Sequence, residues 1–122
     1  MRLVVLESPY AGEVALNVAY ARAAMRDSLL RGEAPIASHL LYTQDGILDD
    51  LVPEERVRGI EAGLLWGALA TASVVYVDRG FSGGMIQGIE RARKEGRPVS
   101  YRVLGAPWST QEPREVEGHW HG

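Results

Sequence analysis

Three groups of residues have the types and spacing to do chemistry. The densest is Asp78-Arg79-Gly80-Phe81-Ser82-Gly83-Gly84-Met85, which follows the β-branched run Ser73-Val74-Val75-Tyr76-Val77. A carboxylate at the carboxyl end of a buried strand lies where an open α/β sheet places its ligand crevice. There Asp78 can hold a sugar hydroxyl or a base edge, or simply cap the turn. Gly80, Gly83 and Gly84 permit positive φ or close backbone approach. Ser82 is placed to cap the next helix, whose first N–H groups favour an anion or a polar ligand edge. It is read as a cap and not a nucleophile, because no His or Lys pattern activates it. The second group is Ser8-Pro9-Tyr10-Ala11-Gly12, a loop in which Ser8 and Tyr10 suit a ligand-lining role or ordinary loop packing. The third is His39, a contact for phosphate or ribose or else a structural histidine. His119 and His121 are two apart at the chain end without a third ligand, which does not make a metal site.

The elements that must position these groups alternate. Residues 2–6 form an aliphatic strand, ended by the Pro9 and Gly12 loop. Val14, Val18, Ala21, Met25 and Leu29 recur at spacings of three and four, which predicts a helix over 13–30 closed by Gly32. Residues 34–39 read as a second strand with His39 at its carboxyl end. Residues 40–52 are irregular, long for such a connection, and suited to a lid or binding loop. Pro53-Glu54-Glu55 starts a helix running to about Ala70, with Gly59, Gly63 and Gly67 every fourth residue. That stripe allows close packing on the sheet or a helix pair across a dimer. A strand over 73–78, a helix stopping at Gly96 and a strand over 99–104 complete a βαβαβαβ chain. The expected fold is α/β, a flavodoxin- or Rossmann-like three-layer sandwich with a mainly parallel sheet of order 2-1-3-4. Its switch point lies between the first and third strands, so residues 8–12 and 78–85 meet across one crevice with His39 near its edge. Residues 1–104 form the domain; residues 105–122, with Trp108 and Trp120, form a tail that is either a disordered end or docks its tryptophans on this subunit or a neighbour.

Composition narrows the class. The chain has 122 residues, 46% hydrophobic and 24% charged, with a net charge of −3 and no cysteine. These values fit one globular domain and argue against nucleic acid as a partner, a disulfide framework, or a thiolate metal site. No apolar run approaches the roughly 20 residues needed to cross a bilayer. With a strand starting almost at Met1, a cleaved signal peptide is not expected, and a cytoplasmic protein is the reading.

The order Ser8-Pro9-Tyr10, Asn17, Ala34-Pro35 through Ser38-His39, Ser82-Gly83-Gly84-Met85, Ala92 and Gly96-Arg97-Pro98-Val99 resembles the nucleoside 2-deoxyribosyltransferase-like superfamily, in particular its small and often phage-encoded relatives. The resemblance spans about residues 3–101 and implies a nucleoside at the carboxyl ends of the strands. It also implies that Asn17 faces the first loop and that sites lie near subunit contacts, hence a homo-oligomer. In such proteins the pattern Ser-x-Gly-Met-x-x-Glu supplies a glutamate that attacks the anomeric carbon, because only a carboxylate adds to and then leaves an oxocarbenium-like centre readily. The corresponding residue here is Gly88. Glycine inside a helix costs roughly 1 kcal/mol relative to alanine, so it calls for a reason: a pocket emptied for a bulkier ligand, or close packing against the sheet or a second subunit. Gln87 cannot act as a carboxylate, and Glu90 lies about 200° around the helix.

Three functions follow as expectations. The first is a non-catalytic nucleoside- or nucleotide-binding protein without cofactor, with ligand contacts from Ser8, Pro9, Tyr10, Ala11, Gly12, Asn17, His39, Asp78, Ser82, Gly83, Gly84 and Met85. Its specific form is sequestration of an ADP-ribose-like or cyclic nucleotide signal in phage counter-defence. The alternative is an active deoxyribosyltransferase or N-glycoside hydrolase using a relocated carboxylate, Glu61 or Glu90, or a water activated by Asp78. The third is a purely structural or interaction role, favoured if Trp108 or Trp120 fills the crevice.

Overall fold

A computed structural model describes residues 1–105 and 108. The chain runs β1 (Arg2–Glu7), α1 (Val14–Leu30), β2 (Glu33–Ile36), α2 (Ser38–Leu41), α3 (Pro53–Gly67), β3 (Ala72–Tyr76), α4 (Gly83–Lys94) and β4 (Val99–Arg102). All strand pairs are parallel, in the expected order β2-β1-β3-β4. Side chains alternate across a strand, and here that alternation sorts them into two cores. Val4, Leu6, Val74 and Tyr76 pack with Tyr20 and Ala24 of α1 on one face. Val75 packs with Met85 and Ile89 of α4 on the other. Each fully buried aliphatic side chain contributes about 2 kcal/mol. Since Glu7 pairs with Val75 across the β1–β3 ladder, the same alternation sends its side chain under α4.

Several boundaries differ from the sequence reading, each for a local reason. β1 extends one residue further and takes in Glu7. β2 stops at Ile36, and His39 lies on the short helix α2 and not at a strand end. That turn is closed by the Tyr42 amide donating to the Ser38 carbonyl at 2.9 Å and the Thr43 hydroxyl donating to the His39 carbonyl at 2.6 Å. The helix begun at Pro53 stops at Gly67, short of Ala70. β4 ends at Arg102 because the Leu104 and Gly105 amides turn aside to the Asp78 carboxylate, at distances of 2.8 to 3.0 Å.

The glycine stripe is used within the chain. A Cβ at Gly63 would stand 2.7 Å from the Cβ of Ser38 on α2, so only glycine lets the two helices approach this closely. Gly67 lies against Val5 and Arg97. Trp108 docks on the same subunit, edge-on to Tyr20 with ring centroids 4.7 Å apart. Trp120, His119 and His121 lie outside the described residues. Among the described residues no helix is long and apolar enough to cross a membrane, and no group of three or more potential ligand side chains could hold a metal.

A bidentate ion pair braces the sheet from edge to edge. Arg102, at the end of β4, donates to both carboxylate oxygens of Glu33, at the start of β2, at 2.8 and 2.7 Å. Ser28 donates to the same carboxylate at 2.8 Å. The Tyr76 hydroxyl accepts from Arg102 at 3.1 Å and donates to Asp27 at 2.7 Å. The Arg102 hydrogen bonds, reinforced by Ser28, lower the Glu33 pKa to about 2. The pair is largely shielded from solvent, with side chains 12% and 8% exposed. Removing one partner of such a pair is therefore costly. We expect Arg102→Ala to lower unfolding stability by about 3 kcal/mol, read by chemical denaturation near neutral pH. Because the folded pKa of Glu33 is depressed, its contribution is present above the ordinary carboxylate range and is lost as pH falls toward about 2. The variant should accordingly lose the part of the acid dependence that this pair supplies.

Candidate functional site

A crevice opens at the carboxyl end of β1, between the loop that follows it, α2, α3 and the start of α4. Its inner chamber, about 200 Å³, is lined by Glu7, Ser8, Tyr10, Ala11, His39, Ser82, Gly83, Gly84, Met85, Gln87 and Gly88, with α3 and Arg97 closing one side. An outer chamber of about 590 Å³ runs under residues 43–51 and includes Gly12. The two share Tyr10, Ala11, Thr43, Leu48, Asp50 and Glu55, and so form one continuous site. The long 40–52 connection thus folds over the crevice. An Arg56–Asp50 ion pair at 2.9 Å and a hydrogen bond from the Asp49 amide to Glu55 at 2.7 Å tie it to α3.

The loop after β1 is held from behind. Asn17 on α1 donates to the carbonyls of Tyr10 and Ala11 at 2.9 and 3.1 Å, and accepts from Arg79 at 2.8 Å. Asn17 therefore faces the first loop, as the resemblance implied, but does not itself line the crevice. Pro9 is buried and likewise absent from the lining. Ser82 caps α4, its hydroxyl accepting from the Met85 amide at 3.2 Å, while the Ser82 amide donates to the Met85 sulfur at 3.3 Å. This places Gly83 and Gly84 at the crevice wall, and a Cβ on Gly83 would meet no atom within 4 Å.

Asp78 is engaged elsewhere. Its carboxylate accepts from the Tyr20 hydroxyl at 2.5 Å and from the Leu104 and Gly105 amides. Burial works to raise its pKa, but these donors outweigh it and hold the group below the ordinary carboxylate range. Asp78 borders neither chamber and fastens the chain after β4 to α1. Glu61 and Glu90 are exposed and line neither chamber. The structure thus brings together Ser8, Tyr10, Ala11, Gly12, His39 and residues 82–85, and sets Pro9, Asn17, Asp78, Glu61 and Glu90 apart.

The sequence reading missed Glu7. Its side chain leaves β1 on the α4 face and enters the space beside Gly88. A Cβ on residue 88 would stand 2.6 Å from the carboxyl carbon of Glu7 and 2.9 Å from its Oε1. Gly88 is therefore explained by close approach of the sheet's own carboxylate, and not by a pocket emptied for a bulkier ligand. The Glu7 carboxylate makes no hydrogen bond among the described residues. Surrounding protein desolvates it and pushes its pKa up to about 8, against a smaller opposing pull from the Arg97 guanidinium. Some of its surface still faces the inner chamber, which makes it reachable as well as desolvated. Through Nε and Nη1 the guanidinium also donates to the Ser73 hydroxyl, the Gly67 carbonyl and Glu95.

Next to Glu7, Ser8 and His39 share a hydrogen bond of 2.7 Å between Oγ and Nε2. Burial lowers the His39 pKa to about 4, so the imidazole is neutral at physiological pH. The inner chamber thus combines a carboxyl group of raised pKa, a neutral hydroxyl–imidazole pair, an aromatic ring from Tyr10 and the first turn of a helix. The signal for Glu7 was present as alternation: Val5 and Glu7 continue one face of β1, and the acidic member faces a helix that carries a glycine.

The Glu7–Gly88 contact has a thermodynamic signature. In a Glu7→Ala background, Gly88→Ala should stabilise the protein by about 1 kcal/mol, the helix-propensity gain. With Glu7 present, that gain should shrink or vanish because the carboxylate must give way. A double-mutant cycle by denaturant unfolding should show a coupling of at least about 0.5 kcal/mol, whereas additive effects would contradict the contact.

Comparisons agree with this fold. A 2-deoxyribosyltransferase from the psychrotolerant bacterium Bacillus psychrosaccharolyticus, described as a biocatalyst for the synthesis of antiviral and antitumoral nucleosides, superposes with a TM-score of 0.59. The match covers 85% of this chain and 74% of that one at 17% identity, and the superposition shows a shared fold. No curated protein matches the chain. Residues 2–102 match the domain of unknown function DUF7768, which spans every strand and helix described above, and the chain belongs to that family.

Proposed function

We propose that the crevice binds a nucleoside or nucleotide. The observation that carries this reading is a two-chambered site at the carboxyl end of β1 that gathers Ser8, Tyr10, His39 and the Ser82-Gly83-Gly84 turn. Each part suits a portion of such a ligand. An aromatic ring beside an apolar wall favours a planar base. The neutral Ser8–His39 pair offers hydrogen bonds to sugar hydroxyls. The opening turn of α4 favours a phosphate or another polar edge. The nucleoside-processing structural relative supports the same ligand class.

A second reading is retention of the ligand intact, as in a protein that sequesters an ADP-ribose-like or cyclic nucleotide signal in phage counter-defence. It is favoured by the lack of a carboxylate on α4 at the crevice wall, where Gly88 stands.

Calorimetric titration with a panel of nucleosides, deoxynucleosides, ADP-ribose and cyclic nucleotides tests the binding reading. At least one class should bind saturably. Tyr10→Ala should weaken it by about tenfold, equivalent to about 1.4 kcal/mol. Absence of saturable binding across the panel would overturn the proposal.

A further inference from the structure

We propose that the crevice takes an organic cation, a ligand without phosphate whose ammonium or amidinium group pairs with Glu7 in the inner chamber. This ligand class rests on the binding reading above and narrows it to members that carry a positive charge. Two independent features of the walls point to it. The first is Glu7, a shielded carboxyl group that faces the inner chamber and makes no hydrogen bond or ion pair among the described residues. A desolvated carboxyl group without a partner is costly, and a cation entering the chamber would pair with it. The second is the charge of the walls as a whole. The outer chamber carries Asp45, Asp49, Asp50 and Glu55 and no basic side chain. The basic groups of the inner chamber, Arg56 and Arg97, are already paired, with Asp50 at 2.9 Å and Glu95 at 2.6 Å.

The walls favour an organic cation over a metal ion or a phosphate. Among the described residues no group of three or more potential ligand side chains could hold a metal, so the acids do not converge on one point. Tyr10 and Tyr42 line the inner chamber with Glu7, and aromatic faces attract ammonium and guanidinium groups. The inner chamber, about 200 Å³, suits a compact charged head, and the outer one, about 590 Å³, the larger remainder of the molecule. The opening turn of α4 supplies only about half a positive charge, which the acids of the walls outweigh.

Such pairing is linked to a proton. Desolvation drives Glu7 toward its neutral form, with a pKa pushed up to about 8. A cation at hydrogen-bonding distance favours the charged form and brings that value down. Binding near neutral pH therefore releases a proton, and affinity rises as pH approaches 8 from below. The titratable groups that line the chamber with Glu7 are Tyr10, His39 of α2, Tyr42, Glu55 and Arg56 of α3 with its partner Asp50, and Arg97. His39, lowered to about 4, is already neutral over this range. From α4 the lining near Glu7 is Gly88 and Gln87, which do not titrate.

Calorimetry on the purified full chain tests the proposal with probes of graded charge. They are adenosine and thymidine, their cationic 5′-amino-5′-deoxy derivatives and their 5′-monophosphates, with agmatine as a cation lacking base and sugar. For the base that binds, the amine should bind at least about tenfold tighter than its parent, the size of a charge-assisted hydrogen bond. The monophosphate should bind more weakly than the parent. Titrations in two buffers of different ionisation enthalpy should show proton release with the amine and none with the parent. Glu7→Gln, similar in shape, should lose that release and at least about tenfold in amine affinity, with the parent little changed. Circular dichroism checks its folding. If it does not fold, Asp45→Asn on the exposed outer wall should weaken the amine about twofold and leave the parent unchanged. Tighter binding of a monophosphate than of its amine, or equal binding of amine and parent, would overturn the cation proposal and leave the binding reading standing. Amine binding without proton release would overturn the pairing with Glu7. Agmatine bound with proton release, while no nucleoside derivative binds, would support the cation proposal and overturn the nucleoside reading. Absence of binding by every probe would overturn both.

Discussion

The contact between the Glu7 carboxylate and the backbone at Gly88 is the constraint on which the site depends. A parallel strand alternates its side chains, so the residue that pairs with Val75 must point at α4. When that residue is a glutamate, the helix facing it must leave space, and only glycine does so without displacing the acid. The result is a carboxyl group fixed at the carboxyl end of β1, desolvated by its neighbours yet open to the inner chamber. A leucine at position 7 would close this space with apolar packing. An alanine at 88 would push the carboxyl group elsewhere.

The rest of the structure holds that geometry in place. Met85 and Ile89 seat α4 on Val75, which fixes the helix relative to the strand pair β1–β3. Asn17 grips the carbonyls of Tyr10 and Ala11, so the loop following Glu7 cannot drift from α1. Asp78 gathers Tyr20 and the amides after β4, tying the opposite side of the sheet to the same helix. These are polar groups whose hydrogen-bonding needs are met inside the protein, and their pKa values follow. Asp78 and Glu33 are held in the charged form by donors, whereas Glu7 and His39 are driven toward neutrality by burial. The division separates groups that secure the fold from groups free to meet a ligand.

Much of the architecture was legible in the sequence. Strand and helix periodicities alternate cleanly, and Gly32 and Gly96 end their helices with positive φ. The right-handed parallel connection rule then leaves few strand orders. The loop residues Ser8, Tyr10 and Ala11 and the Ser82–Met85 turn were legible too, because they follow strand ends in an α/β chain. Asp78 misled for the same reason: a carboxylate at a strand end looks identical in sequence whether it meets a ligand or two backbone amides. His39 was placed at the end of a strand because nothing local announced the short helix closed by Thr43. Glu7 was missed because β1 was ended one residue early, which put the acid in a loop and hid its face. The Glu33–Arg102 brace joins residues 69 apart in the chain and was beyond the reach of local patterns.

The environment of Glu7 is read by titrating its carboxyl carbon by NMR, using selectively labelled protein assigned with the Glu7→Gln variant, with and without a bound nucleoside. A folded-state pKa near 8 that changes on ligand binding is expected, because the same group is both desolvated and in the site. A carboxyl group that titrates in the ordinary glutamate range and does not respond to ligand would contradict it.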